Sequence, residues 1–194
     1  MNIAIDIDDT LTNSFDYFQP FVAEFFGADL SELKEKNISY GNLPNEWKPR
    51  ELEFCRAYYD KAVAQTPFKP DAAEGVRKLR ERGHKIFIIT ARTNSFYTDA
   101  YKTTVEELKN GNIVYDKLVC SMDKAAACVE NRIDVLFDDM LYNVDAAIDA
   151  GVNAVLFTSK ANVNADKKYK RVNDWSEVLR FIDEIEKQIE SSEE

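Results

Sequence analysis

Five short apolar runs, each closed by a polar cluster and separated from the next by helical periodicity, leave this chain few architectures. They span residues 3–5, 85–89, 118–120, 134–137 and 153–157. The runs are apolar throughout rather than alternating, so they read as strands buried on both faces. A helix is expected from Asp71 through Arg82, with Asp71 and Glu74 as a capping box and Gly83 as the stop. Others are expected over 95–110 (Tyr97, Tyr101, Val105 and Leu108 on one face), 123–130 and 142–150. A last amphipathic helix carries Trp175, Val178, Ile182, Ile185 and Ile189. Strands and helices in this order form right-handed βαβ units. The expected fold is therefore α/β, a doubly wound parallel sheet covered on both faces.

One interval breaks the alternation. Between the first two runs, residues 14–66 carry no strand signal. Phe15, Phe18, Val22 and Phe25 recur at helical spacing, and the helix they form ends near Gly27. A short helix from Ser31, a turn over 37–44 and a helix over 47–65, with Leu52, Cys55, Tyr59 and Val63 on one face, complete a small helical insertion. Residues 1–13 and 67–194 then make the core domain. The polar stretch 158–173 reads as a loop, locally basic through Lys160, Lys167, Lys168, Lys170 and Arg171.

Composition removes several classes of function. A net charge of −10 opposes binding of a nucleic acid polymer, which needs clustered cations to displace counterions. No apolar stretch approaches the roughly 20 residues that cross a bilayer. No basic region followed by an apolar core opens the chain, so a cytoplasmic location is the expectation. Cys55, Cys120 and Cys128 are odd in number and scattered, which suits reduced thiols. The single histidine, His84, has no partner for a triad or a zinc site and is read as structural or exposed.

Ligands of such sheets bind beyond the carboxyl ends of the strands, and the polar clusters lie there. Asp6, Asp8 and Asp9 follow the first run, Thr90, Ala91 and Arg92 the second, and Asp138 and Asp139 the fourth; Lys124 opens a helix after the third. Carboxylates crowded at one point repel unless a cation sits among them. Hard oxygen ligands suit Mg²⁺, with Asp6, Asp139 and Asp138 as candidates. A carboxylate can attack phosphorus if a metal and cations offset the mutual repulsion. Lys124, Thr90 and the amides after Thr90 are placed to hold phosphoryl oxygens, and Asp8 to shuttle a proton.

The set resembles the four motifs of the haloacid dehalogenase superfamily of phosphohydrolases. DIDDT matches Asp-x-Asp-x-Thr, IFIIT ends in Thr90, Lys124 is the third motif, and DVLFDD with Asn143 and AAIDAG is the fourth. The resemblance covers residues 2–157. It implies Asp6 as nucleophile, Asp8 as general acid and base, and Thr90 and Lys124 on the phosphoryl group. For Mg²⁺ it implies the Asp6 carboxylate, the Asp8 backbone carbonyl and Asp139, with Asp138 in support. It also implies that residues 14–66 are a cap that shapes the substrate pocket. The aromatic helix after DIDDTLT and the stretch TPFKPDAAEGVRKLRERGHKIFIITAR are similar to the deoxyribonucleotidase (5′-nucleotidase, deoxy type C) group, which commonly has Gly-Val where this chain has Asp9-Thr10.

The expected activity is Mg²⁺-dependent hydrolysis of a small phosphomonoester, a (deoxy)nucleoside monophosphate, in a chain compatible with a homodimer. The alternatives are a phosphatase for sugar or other small phosphates and, remotely, a receiver-like phosphoacceptor module. The order of the motifs and the insertion oppose the last. Phe15, Phe18 and Trp47 could stack on a base but are more readily core of the insertion. Arg92 is a candidate for the phosphate as well. Asp9 has no chemistry in the motif, so Asp9→Asn is expected to keep turnover where Asp8→Asn loses it, as steady-state rates on an aryl phosphate would show.

Overall fold

Ile3 and Ile5 point to one side of the first strand and Ala4 to the other, and all three are fully buried. A strand with no wet face belongs at the centre of a covered sheet. In the computed structural model, which describes residues 1–165 and 168–193, that is its position. The chain order is β1 (Asn2–Ile5), α1 (Ser14–Phe26), α2 (Leu30–Glu35), α3 (Glu51–Ala62), α4 (Ala72–Glu81), β2 (Lys85–Thr90), α5 (Ala100–Asn110), β3 (Lys117–Cys120), α6 (Lys124–Glu130), β4 (Val135–Asp138), α7 (Leu141–Asp149), β5 (Asn153–Phe157), β6 (Arg171–Val172) and α8 (Trp175–Glu193). All six strands are parallel, in the order β3-β2-β1-β4-β5-β6. The chain builds outward from β1 through β2 to β3, then crosses to β4 on the other side. The switch point of the sheet therefore lies at the carboxyl ends of β1 and its two neighbours.

The two faces divide the helices. Ile3, Ile5, Ile86, Ile88, Val135 and Phe137 pack against α4, α5 and α8 through Val76, Leu79, Leu108, Trp175, Val178 and Ile182. Ala4, Phe87, Ile89, Leu136 and Leu156 pack against α6 and α7 through Ala127, Cys128, Val144 and Ala147. A third apolar cluster lies outside the sheet. Phe18 and Val22 of α1, Leu33 of α2, Leu43, and Phe54, Cys55 and Ala62 of α3 form it, and Tyr97 and Ala100 from beyond β2 join it. The chain leaves for these helices and returns from them side by side. Asn13 donates its N–H to the Pro67 carbonyl (2.8 Å) and Lys69 donates to Leu11 (2.8 Å).

Several local expectations yield to tertiary packing. The helix expected from residue 95 begins at Ala100, because residues 93–99 are engaged elsewhere. Asn94 accepts from the Ala100 N–H (2.9 Å), and Thr98 donates to Asp60 of α3. Tyr97 thus joins the third cluster and Tyr101 is exposed, rather than both lining one helix face. The capping box expected at Asp71 and Glu74 does not form. Asp71 precedes α4 in a left-handed conformation (φ 62°) and its side chain caps nothing. Glu74 instead pairs with Lys78 on the surface (2.6 Å). In α3 the buried face carries Phe54 and Cys55, while Leu52 is exposed. The loop expected over 158–173 contains β6, an edge strand of two residues, too short for any periodicity to reveal. Lys167, counted in that loop's basic set, lies outside the described residues.

His84 is buried at the amino edge of the sheet, with Nε2 3.0 Å from a Glu186 carboxylate oxygen. The three cysteines are free. Among the described residues no helix is long and apolar enough to cross a membrane.

Helix α8 packs against the loop after β1. The Trp175 indole, 1% exposed, donates to the Thr10 carbonyl (3.3 Å). Gly75 in α4 lies directly beneath that ring, where an added Cβ would sit 2.6 Å from Trp175 Cε3. In an open helix Gly→Ala would stabilise by up to about 1 kcal/mol. Here Gly75→Ala is expected to destabilise by about 1–3 kcal/mol through overpacking, read as a lower urea midpoint at unchanged slope.

Candidate active site

The loop after β1 is wound around one atom. The Ile7 carbonyl accepts from the N–H groups of Thr10 (3.2 Å), Leu11 (2.9 Å) and Thr12 (3.1 Å) and from the Thr12 hydroxyl (3.1 Å). So tight a turn needs one residue in the left-handed region, and Asp9 supplies it at φ 58°. Asp tolerates that region better than most residues because its short polar side chain can bond locally. Here the Asp9 carboxylate accepts from the Phe15 N–H (2.9 Å) and the Tyr40 hydroxyl (3.0 Å). Asp9 thus fastens the loop to the helical excursion. Burial, first, and the nearby Asp8 charge push its carboxyl up to about 6.

The turn leaves Asp6 and Asp8 at the mouth of the sheet in unlike surroundings. Asp6 is buried beside Lys124, the first residue of α6, whose Nζ lies 2.6 Å from Asp6 Oδ1 and 2.7 Å from Asp138 Oδ2. Asp138 also accepts from the Met140 N–H (2.9 Å) and the Asn143 amide (3.0 Å). Burial works to lower the Lys124 pKa, but the two carboxylates outweigh it and the ammonium stays charged well above its ordinary range. One ammonium cannot satisfy both acids fully. Burial, and then the charges of Asp138 and Asp8, push Asp6 up to about 7 despite Lys124.

Asp8 is clamped from the other side. It accepts from Ser14 Oγ (2.8 Å), Arg92 Nη2 (2.9 Å) and Arg92 Nε (3.2 Å). Burial favours its neutral form, but the Arg92 charge and these hydrogen bonds overcome it and hold the carboxyl below the usual value. Arg92 donates in addition to Glu107 of α5. The structure therefore puts Arg92, expected on the phosphate, onto Asp8 and Glu107. Thr90 and Ala91, together with Arg92, line the cavity.

Asp139 is buried, yet no side-chain hydrogen bond or ion pair among the described residues holds its carboxylate. Its backbone carbonyl is fixed by Asn162 Nδ2 (2.7 Å), which also donates to Phe157 (2.7 Å). Burial and the charges of Asp9, Asp138 and Asp6 raise its pKa well above the carboxylate range. Ligand oxygens of Asp6, Asp138 and Asp139 all lie within 4.8 Å of one another. A buried, partnerless carboxylate in a hard-oxygen cluster fits a divalent cation such as Mg²⁺. Asp6 and Asp139 have capacity to bind one. Asp138 already has three donors on it, one of them Lys124.

Asp6, Asp8, Lys124 and Asp139 line a cavity of about 310 Å³, with Phe15, Tyr40, Tyr59, Phe96, Tyr97 and Tyr142 among its walls. Of the aromatics considered for base stacking, Phe15 reaches this cavity. Phe18 packs against Tyr40 and Tyr59, and Trp47 stacks on Phe26 at 4.6 Å. The basic loop is largely spent internally: Lys160 pairs with Asp16 (2.5 Å) and Arg171 donates to Asn162 (2.8 Å). Sequence reasoning missed Ser14, Tyr40, Glu107 and Asn162. Glu107 had no signal at all, since its buried neighbours on α5 include Ala100 and Thr104 rather than an apolar stripe.

A raised carboxyl pKa means the folded state binds the proton more tightly than the unfolded chain. The stabilisation it brings is present at acid pH and lost as pH rises through the folded value. For Asp6 that loss runs from about pH 4 to about pH 7 and for Asp9 to about pH 6, and the raised carboxyl of Asp139 adds to it in the same direction. In the presence of EDTA, Asp139→Asn is therefore expected to stabilise the protein, on the order of 1–3 kcal/mol, and more at pH 8 than at pH 5. Thermal unfolding of both proteins across that range, with and without Mg²⁺, checks this; added Mg²⁺ should raise the Tm of the parent and not of the variant.

Several solved structures share the fold. A haloacid dehalogenase-like hydrolase from Streptococcus pneumoniae aligns over 93% of this chain and 97% of its own, with a TM-score of 0.62 and 15% identity. A "predicted phosphatase" from Clostridium acetobutylicum covers 94% and 98%, with a TM-score of 0.68 and 18% identity. A haloacid dehalogenase-family hydrolase from Deinococcus radiodurans, with bound phosphate and sodium, covers 94% and 95%, with a TM-score of 0.67 and 13% identity. No curated protein matches the chain by sequence. The model of the family described as 5′ nucleotidase, deoxy (pyrimidine), cytosolic type C protein matches residues 1–189. With its parallel sheet and the motif residues gathered at one edge of it, this chain is a phosphohydrolase of the haloacid dehalogenase superfamily and belongs to the 5′ nucleotidase, deoxy (pyrimidine), cytosolic type C family.

Proposed function

We propose that this protein is a Mg²⁺-dependent phosphatase that hydrolyses (deoxy)nucleoside monophosphates through an aspartyl-phosphate on Asp6. The observation that carries the reading is the sharing of one buried ammonium, that of Lys124, between Asp6 and Asp138. The arrangement holds a carboxylate at the cavity floor beside a fixed cation, which is what attack by an anion on an anionic phosphoryl group requires. Asp6, Asp139 and the Asp8 backbone carbonyl would hold Mg²⁺, with Asp138 in support; the ion would supply further charge neutralisation there. Thr90 and Ala91 at the end of β2 would bind phosphoryl oxygens alongside Lys124. Asp8, whose side chain is about a quarter exposed at the cavity, would carry the proton transfers.

The nucleotide part of the reading rests on family membership and on the aromatic walls, which offer π-faces to a base. Residues 14–66 would act as the cap that closes over it, with 1–13 and 67–194 as the core. Phosphatase action on a sugar or another small phosphate is the second reading. It is favoured by Glu51, a charged side chain in the lining of the same cavity.

Asp6→Asn is expected to remove turnover, by at least about 10³-fold, and to leave the circular dichroism spectrum of the parent unchanged. A panel of nucleoside, sugar and aryl monophosphates, assayed with and without Mg²⁺, ranks the substrates. Activity retained in Asp6→Asn would remove the covalent step, and a ranking without nucleotides at the top would remove the nucleotidase reading.

A further inference from the structure

Arg92 and Glu107 form a buried network that the chemistry above leaves unused. Arg92 is 3% exposed and Glu107 is fully buried, at 0%. They come from separate elements, one just past β2 and the other on α5. The guanidinium spans the two acids: Nε and Nη2 take the two oxygens of Asp8, and Nη1 takes Glu107 Oε2. The ring of Tyr97 lies 5.9 Å from the guanidinium carbon and closes the open side. Glu107 Oε1 is buried with no hydrogen-bond partner. A half-satisfied carboxylate at zero exposure is costly, so stability alone is a poor account of this network.

What the network does achieve is geometric. A guanidinium fork fixes a carboxylate in position and plane through parallel hydrogen bonds. With Ser14 Oγ on the same carboxylate, every partner of Asp8 is a donor. Glu107 in turn denies Arg92 any other arrangement, because the remaining end of the guanidinium is tied to it.

We infer that Glu107 and Arg92 are positioning residues that set Asp8 as the base for the second half of the reaction. In that half a water oxygen bonds to phosphorus and the bond between phosphorus and Asp6 Oδ breaks. Its electron pair returns to the Asp6 carboxylate. The water's proton passes to Asp8, and inorganic phosphate leaves. The inference deepens the proposed function and rests on its assignment of Asp6 and Asp8.

The test compares Glu107→Gln, which keeps shape and one acceptor, with the double variant Arg92→Met/Glu107→Leu, which removes both charges together and so leaves none of the pair unpaired. Loss of the base slows hydrolysis of the phosphoenzyme but not its formation. With p-nitrophenyl phosphate, a good leaving group, the double variant should therefore show a burst of nitrophenolate and then turnover slowed about 10²-fold. A hydroxylamine-sensitive phosphoenzyme should be recovered by acid quench, and kcat/KM should stay within about threefold of the parent. Glu107→Gln should move the same way by less. Parallel losses in kcat and kcat/KM without phosphoenzyme would overturn the inference, since they would mean that Arg92 binds the substrate phosphate or merely supports the fold. Unchanged kinetics would overturn it as well. Failure of the underlying reading shows instead in the parent, as no turnover, or as turnover that survives Asp6→Asn, and the inference falls with it.

Discussion

The Lys124 ammonium between Asp6 and Asp138 is the contact on which the site depends. Asp6 directly follows β1, Asp138 ends β4, and the two strands are adjacent, so two carboxylates are forced together in a water-poor edge of the sheet. Without a cation between them they could not both be ionised there. Lys124 can reach them because α6 starts immediately after β3 and packs across β2 and β4 on the same face. Removing such a cation leaves uncompensated buried charge, at about 3–5 kcal/mol. The site is thus assembled by the sheet and then held by one side chain.

A second constraint runs through the Asp6–Thr12 loop. Gathering three amides and a hydroxyl on the Ile7 carbonyl gives the turn its shape, and Asp9 takes the left-handed position that results. The same residue then bonds Phe15 and Tyr40, so the conformation of the loop and the seating of the helices over the cavity are one structural problem. A glycine at that position would fit the turn without strain but could not make these bonds. Aspartate here trades backbone ease for a fastening between the loop and the helices that follow it.

The acids at the site are separated in behaviour by what lies against them. Asp8 meets a guanidinium and a hydroxyl and is held ionised. Asp6 shares a single ammonium and is drawn toward neutrality. The Asp139 carboxylate meets no donor among the described residues, and burial raises its pKa. Three carboxylates that are indistinguishable in composition are driven apart in charge state, because burial acts on all three while compensation does not.

The strands, their order of appearance and the acids, threonine and lysine at their ends were legible in the sequence because each is a local signal. A buried strand is a contiguous apolar run, and a motif residue sits at a fixed offset from it. The carboxyl-end rule for parallel sheets then brings Asp6, Thr90, Lys124 and Asp139 to one edge without further information. Helix 100–110 was misplaced at its start, and β6 was unseen, because residues 93–99 bond to α3 and a two-residue strand has no period. The partners of Arg92 were equally out of reach. Its place beside Thr90 suggested a phosphate contact. Asp8, 84 positions away, and Glu107, 15 positions on, capture it only once β1, β2 and α5 are packed. Local pattern determined the fold and which polar groups gather at its edge. Which charge neutralises which was decided by tertiary structure alone, since ion pairing depends on distance in space and on exclusion of water, and neither is written in the order of residues.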